Sequence, residues 1–249
     1  MVAKTTPLPN IRKLFIPDVG MVIADFDLEQ ADARVVAWEA NDEELKAIFR
    51  DPKADLHDEN AKTIFGKLTE ENRQLAKGGV HATNYGCSAP TLARSLGVTV
   101  KQAEAFQRTW FQAHPGIHEW HRRVERELQT TRMVRNKFGN CRYYFDRIER
   151  LLPEALAWLP QSTVALVIER GMVNIDNNLP DVELLMQVHD SLVMQYPTTV
   201  HPQRLPDIKR EMEIIVPYDD PLIIPVSPSV SMKSWGDVVD VDWEGNPTD

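Results

Sequence analysis

The chain has 249 residues, 43% of them hydrophobic and 26% charged, with a formal net charge of −9. This is the composition of an ordinary soluble globular protein, long enough for one large domain or two small ones. No uninterrupted run of eighteen apolar residues and no signal-peptide core occur, so neither a membrane span nor export is expected; Cys87 and Cys141 are too few for a disulfide framework or a zinc site, and reduced thiols in a cytoplasm are expected.

In chain order, residues 1–20 are Pro-rich and polar and read as an extended lead-in with turns. Met21-Val-Ile-Ala24 is a short β-branched run, as in a buried strand, and Ala31 to Trp38 reads as a helix packed on it. Asp27 stands where the strand gives way to the helix, either as a helix cap or as a chemical group on a rigid scaffold. Helices are expected to start at Asn41–Leu45, at Asp55 (running to Phe65 and stopping at Gly66) and at Thr69 (running to Tyr85). Gly78-Gly79 inside the last is unexpected, since each glycine costs ~1 kcal/mol against alanine in a helix. Further helices are expected over 90–96, 100–113 and 117–131, broken at His114-Pro-Gly116. Val134 to Phe145 reads as a hairpin around Gly139-Asn140. Glu154 to Asn174 reads as a buried helix. Val182 to Tyr196 reads as a hairpin with His189-Asp190 at its tip and strands too apolar for the surface. Arg204 to Val216 reads as a helix, Leu222 to Met232 as a Pro-punctuated edge strand, and the acidic end as frayed.

Charge is uneven along the chain. Residues 73–150 carry 14 basic and 6 acidic side chains, and the remainder 14 basic and 31 acidic. A basic middle between acidic ends suits a protein that grips a polyanion in one part and holds cations with carboxylates in another, although solvated helix faces give the same pattern.

Three constellations could carry chemistry. Besides Asp27, Arg73, Lys77, His81 and Tyr85 recur every fourth residue, a stripe ~18 Å long that winds by only ~40° per step. Two cations, an imidazole and a phenol in that order match the phosphates, sugar and base of a nucleoside triphosphate; a plain polar helix face is the alternative. The third is His189-Asp190, where a fixed carboxylate could meet Asp27 across a sheet. Two such carboxylates, with water completing the shell, describe Mg²⁺ and not Zn²⁺.

Asp27-x-x-Gln30-x-Asp32-x-Arg34, Arg73-x-x-x-Lys77-x-x-x-His81-x-x-x-Tyr85-Gly86 and Gln187-Val-His-Asp190 together resemble the three polymerase motifs of family A DNA polymerases, those of the phage-type branch most of all. Pro9-Asn-Ile-Arg12, Asp55-Leu-His57, His114-Pro-Gly116, Pro160-Gln161 and Lys233-Ser-Trp235 fall in family order, so the resemblance runs from about residue 8 to about residue 237. It implies an α+β fold, a right-hand polymerase palm (an antiparallel sheet with helices) plus a mostly helical fingers subdomain. The expected division is palm over 1–37 and 151–239, fingers over 38–150, and an acidic tail over 240–249.

The resemblance implies Mg²⁺-dependent transfer of a nucleotide from a dNTP to a primer 3′-hydroxyl on primer-template DNA. Asp27 and Asp190 would bind two Mg²⁺ ions. Arg73 and Lys77 would hold the triphosphate, Lys77 also protonating the leaving group. His81, Tyr85 and Asp32 would meet the nucleotide, Gln161, Gln187, His189, Arg12 and Arg34 the DNA, with Arg34 also supporting the site. This chain departs from the family pattern in having Asp32 for Glu, His81 for Phe or Tyr, Glu29 for Ser, Ser191 for Glu and Ala157 for Asn; the shorter Asp32 implies looser sugar discrimination. Thumb and exonuclease domains are expected to be absent. The chain is then either one piece of a split polymerase whose thumb or exonuclease part is a separate chain, or a truncated product. It would act in a cytoplasm, that of a host if phage-encoded. A non-catalytic nucleic-acid-binding remnant is the rival reading; a Mg²⁺-dependent nuclease leaves the Arg73–Tyr85 stripe without a role.

Overall fold

The computed structural model describes residues 9–248, without the side chains of 148–150. Residues 1–8 of the expected lead-in and Asp249 of the expected tail lie outside the described residues.

After a 3-10 turn at Ile11–Leu14 come β1 (Met21–Leu28), α1 (Ala31–Glu39), α2 (Glu43–Arg50), α3 (Leu56–Phe65), α4 (Glu70–Asn84), α5 (Ala89–Leu96), α6 (Val100–Ala113) and α7 (Pro115–Thr130). The hairpin β2 (Met133–Arg135) and β3 (Cys141–Tyr143), α8 (Ile148–Asn178), β4 (Glu183–Val188), β5 (Ser191–Pro197) and α9 (Arg204–Met212) follow. Short strands β6 (Ile215–Val216) and β7 (Leu222–Ile223) lead to β8 (Val226–Ser231) and β9 (Val239–Asp240).

Helix starts follow their caps. Asp42 accepts the Leu45 N–H, Asp55 those of His57 and Asp58, and Thr69 that of Asn72, each satisfying donors that a helix leaves orphaned. Asp27 caps nothing; it is the seventh residue of β1, and Gln30 holds the α1 cap position. α8 extends beyond the expected 154–174 at both ends, with Pro153 and Pro160 inside it. By length and composition Leu151–Asn178 could cross a membrane, with mean hydropathy 1.4 and half of its best window buried in the protein. A count of uninterrupted apolar residues misses it because Gln161, Ser162 and Thr163 interrupt the run. α9 stops at Met212, short of the expected 216. Val216 precedes Pro217, and the residue before a proline is pushed toward extended backbone.

The chain divides into two compact units. One holds the residues up to Glu29, Ala165–Ile215 and those from Ile223 onward. Its five-stranded sheet has the order β4-β5-β1-β8-β9, every pairing antiparallel. Val22, Ile23, Ala24, Phe26 and Leu28 of β1 and Leu192, Val193, Met194 and Tyr196 of β5 are all buried; each large apolar side chain buried contributes ~1.5–3 kcal/mol.

Two strand positions correct the sequence reading. β4 is an edge strand with no fully buried residue and a register shift between Leu184 and Met186, an irregularity that discourages further pairing. Only β5 of that hairpin is a core element. β8, expected at an edge, lies between β1 and β9. Pro228 is accommodated because β9 pairs only with Ser229 and Val230, while the Pro228 carbonyl accepts the Val241 N–H at 3.1 Å. The acidic end is ordered up to Thr248, not frayed. β9 joins the sheet, and Asp242 accepts the backbone N–H groups of Glu244 and Asn246.

The second unit, Gln30–Val164 with Val216–Leu222, is mostly helical. Trp110, Ile117, Trp120 and Leu128 are buried at its centre. Trp110 Nε1 donates to Asn84 Oδ1 at 2.8 Å and His121 Nε2 donates to the Asn84 carbonyl at 2.8 Å, fixing the end of α4. Burial pushes the His121 pKa down to about 4, so the ring is neutral near pH 7. The glycine pair in α4 is explained in part by packing: a Cβ on Gly79 would overlap the Phe106 ring of α6.

Candidate active site

In the sheet unit, β1 ends beside the β4–β5 turn. Asp27 lies opposite Ser191 of β5 and Ser227 of β8, and the Leu28 N–H donates to the Asp190 carbonyl at 3.0 Å. His189 takes a positive φ of 55°, the left-handed conformation that tight hairpin turns exploit, which brings Asp190 back to the end of β1. Successive residues of a strand face opposite sides, so Asp25 and Asp27 share a face.

Asp27 keeps an exposed surface. Even so, burial by the surrounding protein, together with the carboxylates of Asp190, Asp25 and Glu29, pushes its pKa up to about 6. Asp25 Oδ2 accepts the Trp235 indole N–H at 2.7 Å, and its Oδ1 is buried without a hydrogen-bond partner. The donors are all oxygens, and the neighbouring carboxylates crowd Asp27 with like charge, a set that suits a hard divalent cation with water in its shell. Among the described residues no three His, Cys, Asp or Glu side chains converge on a metal position, so protein ligands would be few.

In the helical unit, the α4 stripe is divided among different partners. Arg73 donates through Nε to Asp58 Oδ1 at 2.8 Å and through Nη2 to Asp55 Oδ2 at 2.9 Å. Lys77 is exposed. The His81 and Tyr85 rings meet edge to face at 4.6 Å, and the Tyr85 hydroxyl donates to Asp32 Oδ2 at 2.8 Å. Burial first, and then the Asp32 carboxylate, raise the Tyr85 pKa far above that of an ordinary phenol. Asp32, His57, Asn60, Lys77, His81 and Tyr85 line one cavity of about 340 Å³. His57 Nδ1 and Asn60 Oδ1 are buried without a hydrogen-bond partner.

The remaining candidate residues are Arg12, Arg34, Gln161, Gln187 and His189. Arg12 stacks over the Trp235 ring at 4.4 Å in the sheet unit. Arg34 donates to the Phe49 carbonyl at 3.2 Å and lies over the Phe49 ring. Gln161 is exposed on α8 in the helical unit, and Gln187 and His189 are exposed at the β4–β5 hairpin. Asp25, His57 and Asn60 escaped the sequence reading as site residues. Asp25 could have been found from the period of two on β1, and Asn60 from its place one helical turn after His57.

An antiparallel sheet with helices, carrying two neighbouring carboxylates at one end, makes this an α+β domain with a candidate divalent-cation site. Its fold matches the POL domain of Pol1 from M. smegmatis, solved in complex with DNA primer-template and dNTP, at a TM-score of 0.82 and 23% identity over 92% of this chain and 44% of that one. The chain belongs to DNA polymerase family A, whose model matches residues 2–237. It is 34% identical over 235 residues to the thermostable DNA polymerase I of Thermus filiformis and 30% identical over 245 residues to that of Thermus aquaticus. It covers 28% and 29% of the length of those relatives and 89% and 92% of itself is matched. These relatives are bacterial, and the phage-type branch expected from the motifs finds no support in them. Members of the family typically use divalent metal ions.

Proposed function

We propose that this chain performs DNA-templated DNA synthesis, transferring a nucleotide from a dNTP to a primer 3′-hydroxyl. The observation that carries the reading is that Asp27 stands opposite Ser191 at the end of β1, and the Leu28 N–H on the Asp190 carbonyl brings Asp190 beside it, so that two carboxylates repel where a cation would relieve them. On this reading the sheet unit is the palm and the helical unit the fingers.

Asp27 and Asp190 would hold two Mg²⁺ ions. When bound, magnesium supplies Lewis acidity, lowering the pKa of the primer 3′-hydroxyl and offsetting charge on the departing pyrophosphate. The residues of the chain do the rest. Asp25, held by Trp235, keeps negative potential beneath Asp27. The exposed Lys77 ammonium neutralises phosphate oxygens and donates a proton to the leaving group. Arg73, held by Asp55 and Asp58, brings its remaining Nη1 and its positive charge to the same phosphates. His81 and Tyr85 present ring surfaces to sugar and base, and Asp32, fixed by the Tyr85 hydroxyl, polices the sugar 2′ position. Arg12, Gln161, Gln187 and His189 contact primer-template DNA, and Arg34 braces α1.

Primer extension with Mg²⁺ and four deoxynucleotides tests the reading, with Asp190→Ala alongside. Template-directed extension lost in the variant supports it. Primer-template binding without extension would point to a separate chain supplying the duplex grip, or to a non-catalytic nucleic-acid-binding protein.

A further inference from the structure

Arg73 is doubly committed. Its Nε and Nη2 are taken by Asp58 and Asp55, leaving Nη1 for any other anion. The two carboxylates do different work. Asp55 caps α3 through Oδ1, accepting the His57 and Asp58 N–H groups, and meets Arg73 through Oδ2. Burial opposes ionisation of Asp55, but the Asp58 N–H and the Arg73 guanidinium outweigh it and hold the carboxyl below its usual range. Asp58 has no capping duty. Its carboxylate meets Arg73 at 2.8 Å, and both side chains keep about 30% of their surface in solvent, within reach of a diffusing anion. Together, Asp55 and Asp58 cancel the charge that Arg73 and Lys77 bring to α4.

We propose that Asp58 sets the affinity for the incoming nucleotide by competing with its phosphates for the Arg73 guanidinium. The inference rests on reading α4 as the nucleotide-holding helix. A triphosphate approaching Arg73 must share it with Asp58 and tolerate the like charge beside it, and both effects oppose binding. Asp55 alone is enough to tether Arg73 to the start of α3, so Asp58 acts on affinity and not on architecture.

The test is titration of the full chain with a fluorescent mant-dGTP and Mg²⁺, without DNA so that backbone phosphate cannot substitute, at low and high salt. Asp58→Asn keeps the shape and removes the charge. It is expected to lower Kd by roughly three- to fivefold at low salt, as fits removal of one partly exposed charge, with the gain shrinking at high salt. Asp58→Glu, which restores the carboxylate, is expected to keep Kd near wild type. In single-turnover extension the Asp58→Asn gain should fall on nucleotide affinity and leave the maximal rate unchanged. If the wild-type chain binds, Lys77→Ala weakens binding, and Asp58→Asn leaves Kd unchanged or raises it, the proposal is overturned while the nucleotide reading stands. If the wild-type chain does not bind, both fall.

Discussion

The Tyr85 hydroxyl donates to Asp32 Oδ2 across 2.8 Å, joining the end of α4 to the first turn of α1. The shorter acid at position 32 is thus held by a phenol 53 residues away along the chain. Tyr85→Phe deletes this bond and keeps the ring. It should lower stability by ~1.5–3 kcal/mol, the usual size for a hydrogen bond to a charged group, read as a shift in urea midpoint at constant slope. If Asp32 polices the sugar, the same variant should narrow the preference for deoxy- over ribonucleotides, and Asp32→Glu should widen it. An unchanged preference in both variants would remove Asp32 from sugar selection.

Asp27→Asn removes the carboxylate most strained by its neighbours. Primer extension should fall at least ~100-fold, equivalent to ~3 kcal/mol of transition-state stabilisation. The thermal midpoint at pH 8 should hold or rise, because repulsion from Asp190, Asp25 and Glu29 is relieved. A large drop in midpoint would show that Asp27 supports the fold and would undercut its catalytic reading.

The two glycines of α4 should respond in opposite directions. A Cβ on Gly78 would lie 3.4 Å from Leu96 Cδ2, an ordinary contact, so Gly78→Ala should stabilise by up to ~1 kcal/mol through helix propensity. A Cβ on Gly79 would enter the Phe106 ring, so Gly79→Ala should destabilise by ~1–3 kcal/mol through overpacking. Adding Phe106→Leu should recover part of the second loss. Equal effects at the two positions would refute the packing account of Gly79.

Asp42 and His114 form a buried pair, 6% and 3% exposed, at 3.1 Å. Burial opposes ionisation of Asp42, but the His114 hydrogen bond and the Leu45 N–H outweigh it and lower its pKa. A carboxyl depressed on folding adds stability above its unfolded pKa near 4 and loses it as pH falls through the folded value. Asp42→Asn keeps the α2 cap and should therefore cost most near pH 7, with the difference from wild type closing below about pH 4. Urea midpoints from pH 2.5 to 7 check this; a gap that does not depend on pH would exclude the linkage.

Much of this protein was legible in its sequence. Asp42, Asp55 and Thr69 announced their helices because capping is local, settled within one turn of backbone. The β4–β5 turn at His189-Asp190 was readable for the same reason, and three spaced motifs identified the polymerase family. Strand order was not readable. β4 and β5 are similarly apolar, and only the pairing of β5 with β1 buries one and leaves the other at an edge. Pro228 suggested an edge until β9 was seen to pair around it. The partners of site residues were hidden in the same way. Tyr85 with Asp32, Arg73 with Asp58 and Asp25 with Trp235 join residues far apart along the chain, and no local pattern encodes such a meeting. Sequence alone determined the local elements and the chemical groups on offer, because backbone hydrogen bonding and side-chain periodicity act over a few residues. Tertiary structure decided which groups share a charge, a proton or a cavity, because electrostatics and burial depend on distance in space.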